Sequence, residues 1–155
     1  MPSSLVYSLK TNVKIKWTKH TFQVLINQAT ASGGSNLTSY RELTVWQKSI
    51  DLTVKIYRAS QSFPVEERYG ITSQIRRAAA SIPANIAEGQ SRNTTGEFRQ
   101  FLGIARGSLA ELETFLTLCE KLEYLNQKDS KVLLTNCAEI NKMLHGLTKS
   151  LSTPH

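Results

Sequence analysis

The sequence predicts an all-α fold: an antiparallel up-down bundle of four helices behind a poorly structured N-terminal extension. Three observations predict it. From residue 40 onward, apolar residues recur at three- and four-residue spacing in four successive runs, the pattern of helices with one buried face. Short turn signals separate the runs: "SFP" at Ser62 to Pro64, Gly89 with the polar residues after it, and "EYLNQKD" at Glu123 to Asp129. No convincing strand follows residue 40. Amphipathic helices joined by short loops bury their faces by packing against their neighbours in sequence.

The first helix is expected from about Val45 to Gln61. Thr44 and Gln47 have the spacing of a capping box, Trp46, Ile50, Val54 and Tyr57 recur on one side, and "SFP" stops the run. The second is expected from about Gly70 to Glu88, with Ile71, Ile75, Ala78, Ala79, Ile82 and Ile86 on its apolar face. Gly89 then reads as its left-handed cap. Pro83 removes a backbone donor and predicts a bend, on the outward side of the helix. The third helix follows a second capping box, Thr94 to Glu97, and carries Phe98, Phe101, Leu102, Ala105, Leu109, Leu112, Leu116, Cys119 and Leu122. Its near-heptad run of roughly 28 residues implies a length of about 40 Å. Asn126 is the candidate cap of the fourth, whose apolar positions are Leu133, Cys137, Ile140, Leu144, Leu147 and Leu151.

Residues 1–39 read differently. "NVKIKW" alternates as a strand would, "TFQVLIN" suits strand or helix, and "ATASGGSNLTS" has linker composition. The domain division is therefore a basic extension over 1–39, the bundle over 40–151 and a short tail over 152–155. An over-extended reading frame is an alternative for the extension, but no methionine near Leu37 or Tyr40 supports it.

Charge is the first functional clue. Nineteen Lys and Arg against 12 Asp and Glu give +7. Lys10, Lys14, Lys16 and Lys19 lie in the extension with no acid, so 15 basic against 12 acidic residues leave +3 for the rest. Such an excess suits an anionic partner, and in the extension equally a solubilising tail. No apolar run approaches the roughly 18 residues of a membrane span, and no secretory signal is evident. Cys119 and Cys137 fall on apolar helix faces and read as core thiols of a reduced, cytoplasmic protein.

Catalytic signatures are scarce. His20, His145 and His155 lie far apart, so no metal site is predicted. There is no phosphate-cradling Gly loop, no Gly-x-Ser-x-Gly elbow and no Glu-x-x-His pair. Glu66 with Glu67, and Glu111 with Glu113, do not share a helix face. The expectation is no catalytic site and no cofactor.

Three other patterns attract attention. Gln74, Arg77, Ser81, Asn85 and Glu88 fall within an arc of about 80° on helix two, a polar seam beside the apolar face. It reads either as a solvated boundary row or as a structural polar network within or between subunits. On helix three, Gly103, Gly107, Ala110 and Thr114 form a strip of small side chains, and interior glycines cost about 1 kcal/mol each relative to alanine. Close approach of another helix would compensate; glycines tolerated on the surface are the alternative. Arg92, Arg99 and Arg106, with Arg76 beside Arg77 on helix two, are the candidate phosphate contacts; solvated or ion-paired arginines are the alternative.

The blocks "YRELTVWQKSIDLTVKIY", "ERYGITSQIRRAAASIPANIAEGQSR", "EFRQFLGIARGSLAELET" and "LEYL" resemble the four-helix-bundle proteins first associated with intervening sequences in bacterial 23S rRNA genes. The resemblance covers about Tyr40 to Leu151. It implies a ring-like homopentamer with a basic surface and a role with RNA or DNA, and it supplies no catalytic residue. A related branch, the accessory variability determinant of diversity-generating retroelements, binds a reverse transcriptase and nucleic acid. The functional expectation is a non-enzymatic, oligomeric bundle that binds nucleic acid or a nucleoprotein. A retroelement accessory protein partnered by a reverse transcriptase, and a purely structural homo-oligomer, are the alternatives.

Overall fold

The computed structural model describes residues 39–152; the expectations for 1–38 and 153–155 lie outside the described residues. Four helices carry the fold: α1 Thr44–Ala59, α2 Ile71–Gln90, α3 Thr95–Lys121 and α4 Gln127–Ser150. Three 3-10 turns punctuate them, Tyr40–Glu42, Ser60–Ser62 and Val65–Arg68, and no strand occurs among the described residues. Successive helices pack together, and α1 closes the ring against α4. This is the up-down bundle.

The core is a column of side chains from all four helices. Leu52, Ile56, Ile75, Ile82, Ile86, Leu102, Leu112, Leu116, Ile140 and Leu144 are all almost fully buried, each contributing about 1.5–3 kcal/mol by leaving water. On α1 the buried stripe is Val45, Ser49, Leu52 and Ile56, not the Trp46, Ile50, Val54 and Tyr57 row that the spacing picks out. Val54 and Tyr57 are exposed. Ser49 hides the true stripe, because a hydroxyl interrupts the apolar pattern. Its Oγ donates to the Val45 carbonyl at 2.7 Å, so the buried group is satisfied.

Helix starts follow local chemistry, with one exception to expectation. Thr94 Oγ1 accepts from the Glu97 N–H at 3.2 Å, and Asn126 Oδ1 accepts from Asp129 N–H at 2.9 Å; both caps satisfy donors that a helix start leaves free. The Thr44–Gln47 box does not form. Thr44 is already helical and Leu43 precedes it without a side-chain cap, while the Gln47 side-chain amide donates to the Arg41 carbonyl at 2.8 Å. The preceding 3-10 turn gives Gln47 a partner outside the box. At the start of α2, Glu67 Oε2 accepts from the Ile71 N–H at 3.1 Å, a cap supplied from the turn before the helix.

Gly89 and Pro83 both differ from expectation. Gly89 lies inside α2 and is buried, and the helix runs on to Gln90. Its role is close approach: a Cβ there would meet Phe101 Cβ at 2.5 Å and Phe98 Cδ2 at 2.9 Å. The left-handed cap belongs instead to Glu123, with φ 59°. Around it the Tyr124 N–H bonds to the Cys119 carbonyl at 2.9 Å and the Glu123 N–H to Glu120 at 3.1 Å, the two bonds of a Schellman ending.

Pro83 is buried rather than outward, because α2 packs against both α1 and α3 and so hides a wider arc than one apolar stripe. An ordinary residue at 83 would bond the carbonyl four residues back. That carbonyl, of Ala79, instead lies 3.0 Å from Thr53 Oγ1 on α1. Thr53 has one hydroxyl proton and also lies 2.8 Å from the Ser49 carbonyl of its own helix, so it shares across the helix interface the donor that proline lacks.

Candidate nucleic-acid interface

The polar seam of α2 meets α3. Asn85 Nδ2 donates to the Ser81 carbonyl at 2.8 Å and lies 3.0 Å from Ser81 Oγ. Ser81 Oγ is 2.9 Å from Ser108 Oγ, and Ser108 Oγ donates to the Ile104 carbonyl at 3.2 Å. One proton order satisfies the whole chain: Asn85 to Ser81, Ser81 to Ser108, Ser108 to Ile104. Toward the start of α2, Arg77 Nη2 donates to Gln74 Oε1 at 3.0 Å and lies 3.5 Å from Glu111 Oε1. That pair is exposed, at 71% and 41%, and so is worth little. At the other end Glu88 pairs with Arg92.

The counterpart of the seam on α3 is therefore Ser108, which the sequence did not single out, and Glu111, which it offered only as one of several carboxylates. Ser108 sits among Ala105, Leu109 and Leu112 at core spacing; a serine in that phase was the available signal. Gly103 and Gly107 are not at the seam. A Cβ on either would meet nothing within 4 Å, and both are exposed, with Ala110 and Thr114 beside them.

The four candidate arginines separate into two kinds. Arg76 Nε donates to Ser60 Oγ at 2.8 Å, and its guanidinium lies 5.0 Å over the Tyr57 ring. Arg92 pairs with Glu88 and lies 4.9 Å over Phe101. Arg99 and Arg106 are exposed on α3 and make no ion pair among the described residues. Arg92 does not continue their row: Phe101, which it covers, is about 150° round the helix from both.

Nothing among the described residues groups three His, Cys, Asp or Glu as a metal site would need. The two thiols are buried in the core, and burial raises both: Cys119 is pushed up to about 11, helped by Glu67, and Cys137 to about 12, helped by Glu113. They are protonated packing groups. A groove of about 740 Å³, lined by Glu120 of α3 and Gln127, Lys128, Lys131, Leu134, Thr135 and Ala138 of α4, opens to solvent.

These features define a small up-down helical bundle with an occupied polar seam and an exposed basic edge. No described helix is long and apolar enough to cross a membrane. The family described as 23S rRNA-intervening sequence protein matches residues 41–146, and the chain belongs to that family. It is also similar to a crystal structure of a protein of unknown function from the S23 ribosomal protein family of Bacteroides thetaiotaomicron VPI-5482. The TM-score is 0.63 and the identity 30%, covering 68% of this chain and 99% of that one. Neither description names a catalytic activity. No curated protein matches the chain.

Proposed function

We propose that this protein is a non-enzymatic, self-associating bundle that binds nucleic acid through phosphate contacts from Arg99 and Arg106. The observation that carries the reading is the contrast among the arginines. Arg76 and Arg92 are engaged by Ser60 and Glu88 and lie over aromatic rings, whereas Arg99 and Arg106 stand exposed seven residues apart on α3, a rise of about 10.5 Å. Guanidinium forks on a straight edge suit phosphate oxygens. Self-association multiplies the field: five copies, the number implied by resemblance, would bring about +15 from their bundles.

The test is fluorescence anisotropy of labelled RNA and DNA at stepped salt. Arg99→Ala with Arg106→Ala is expected to weaken binding and to lower the log–log salt slope by about two. An affinity indifferent to both salt and the double substitution refutes the phosphate assignment.

A further inference from the structure

We propose that the edge between the first half of α3 and the last half of α4 grips the phosphate backbones of a nucleic-acid duplex, Lys142 and His145 of α4 joining Arg99 and Arg106 of α3. The proposal rests on the nucleic-acid reading above and names the face and the form of the ligand.

The placement follows from heptads. Arg99, Arg106, Glu113 and Glu120 recur every seven residues on α3, one row along the helix. Glu113 acts on the Cys137 thiol of α4, and Glu120 shares a groove with Lys128, Lys131, Thr135 and Ala138. This row therefore faces α4. On α4 the groove-lining positions belong to three heptad rows: Gln127 and Leu134, continued by Asn141; Lys131 and Ala138, continued by His145; and Lys128 and Thr135, continued by Lys142. These rows flank α3.

The two helices are antiparallel, so charge along this edge changes character halfway. Glu120 and Glu113 sit at the end where α4 begins, alongside Lys128 and Lys131. Carboxylates there meet ammonium groups. Two turns further, the α3 row has become Arg106 and Arg99, and the level of α4 beside it carries Lys142 and His145, both exposed. Arg99, Arg106 and Lys142 bring cations to one edge, with the neutral Asn141 between the helices and no carboxylate in these rows at that end. Like charges in one seam repel, and nothing within this edge offsets them; an external polyanion does.

The absence of rings selects the form of the polyanion. Proteins that hold single strands stack bases on aromatic platforms, whereas a duplex presents phosphates to a straight line of cations. The exposed aromatics among the described residues are Tyr57 and Tyr69. Tyr57 lies under Arg76 and Tyr69 is at the opposite end of the bundle, before α2. His145 is the lone ring on the basic edge.

The experiment compares RNA duplex, DNA duplex and the corresponding single strands by anisotropy at stepped salt, with full-length protein. The variants are Lys142→Ala, Arg99→Ala with Arg106→Ala, and Lys128→Ala as the control at the far end. All are exposed, and circular dichroism checks the fold. We expect duplex to bind more tightly than single strand. Lys142→Ala should lower the duplex salt slope by about one, and Lys128→Ala should leave it unchanged. The RNA and DNA arms show which duplex is held. Tighter binding of single strands, or wild-type duplex affinity for Lys142→Ala while the arginine pair loses it, overturns this proposal and leaves the broader reading standing. No binding of any nucleic acid at low salt by the unsubstituted protein overturns both.

Discussion

Thr53 shows how one side chain can license an awkward neighbour. Pro83 deprives the Ala79 carbonyl of its helical donor, and Thr53 Oγ1 stands 3.0 Å away, its one proton shared with the Ser49 carbonyl at 2.8 Å. Thr53→Val keeps the shape and removes the donor, so urea denaturation should show a loss of about 1–3 kcal/mol. In a Pro83→Ala background the restored N–H bonds Ala79 itself, and the cost of Thr53→Val should shrink; an equal cost in both backgrounds would show that the two do not couple. The thiols carry a second expectation. Their folded values, about 11 and about 12, lie above the ordinary 9.0. A raised value means stability that is complete below pH 9.0 and is lost as pH climbs through 11 to 12. The stability difference between wild type and Cys119→Val with Cys137→Val should therefore narrow over that interval. Neither Thr53 nor the burial of Pro83 was legible in the chain, because both depend on a contact 26 residues distant.

Among the helices, ends set by adjacent residues were readable and ends set by tertiary contact were not. Thr94 and Asn126 cap α3 and α4 through bonds three residues long. Gly89 was misleading for a physical reason: glycine serves a left-handed cap and a tight helix crossing equally well, and only the presence of Phe98 and Phe101 decides for the crossing. The cap that is left-handed uses Glu123, at a cost of about 1–2 kcal/mol against glycine. Glu123→Gly should accordingly raise the melting temperature with no change in helicity; a lower melting temperature would mean that the Glu123 side chain earns its place by a contact of its own. The seam on α2 was legible as a row of five, since periodicity alone collects it. Its partner Ser108 was not, and Glu111 was legible only as one of several carboxylates, because choosing the facing side of α3 needs the bundle.

At the scale of the whole molecule, the outward strip of α3 is the surface on which the proposed self-association is tested. Gly103 and Gly107 have open space where a side chain would stand, so the compensation for two interior glycines is absent within one chain. Under the proposed self-association, Gly103→Leu with Gly107→Leu should abolish the oligomer in light scattering while circular dichroism stays unchanged, since leucine there strikes nothing in its own bundle. An intact assembly would remove this strip from the interface. The basic edge of α3 and α4 belongs to the same level of organisation: Arg99 and Arg106 were visible as a pair, but their separation from Arg92 and their neighbours Lys142 and His145 emerge only when the helices are laid side by side.

The order and approximate lengths of the helices, two of their caps and the candidate arginines were written in the amino-acid sequence, because helical periodicity and capping act over three to seven residues. The buried stripe of α1, the uses of Gly89 and Pro83, the partners of the seam and the division of the arginines into engaged and exposed came from the packed bundle. Each of these depends on which face a helix turns toward another, and that choice is settled by the combined burial of all four helices rather than by any one of them.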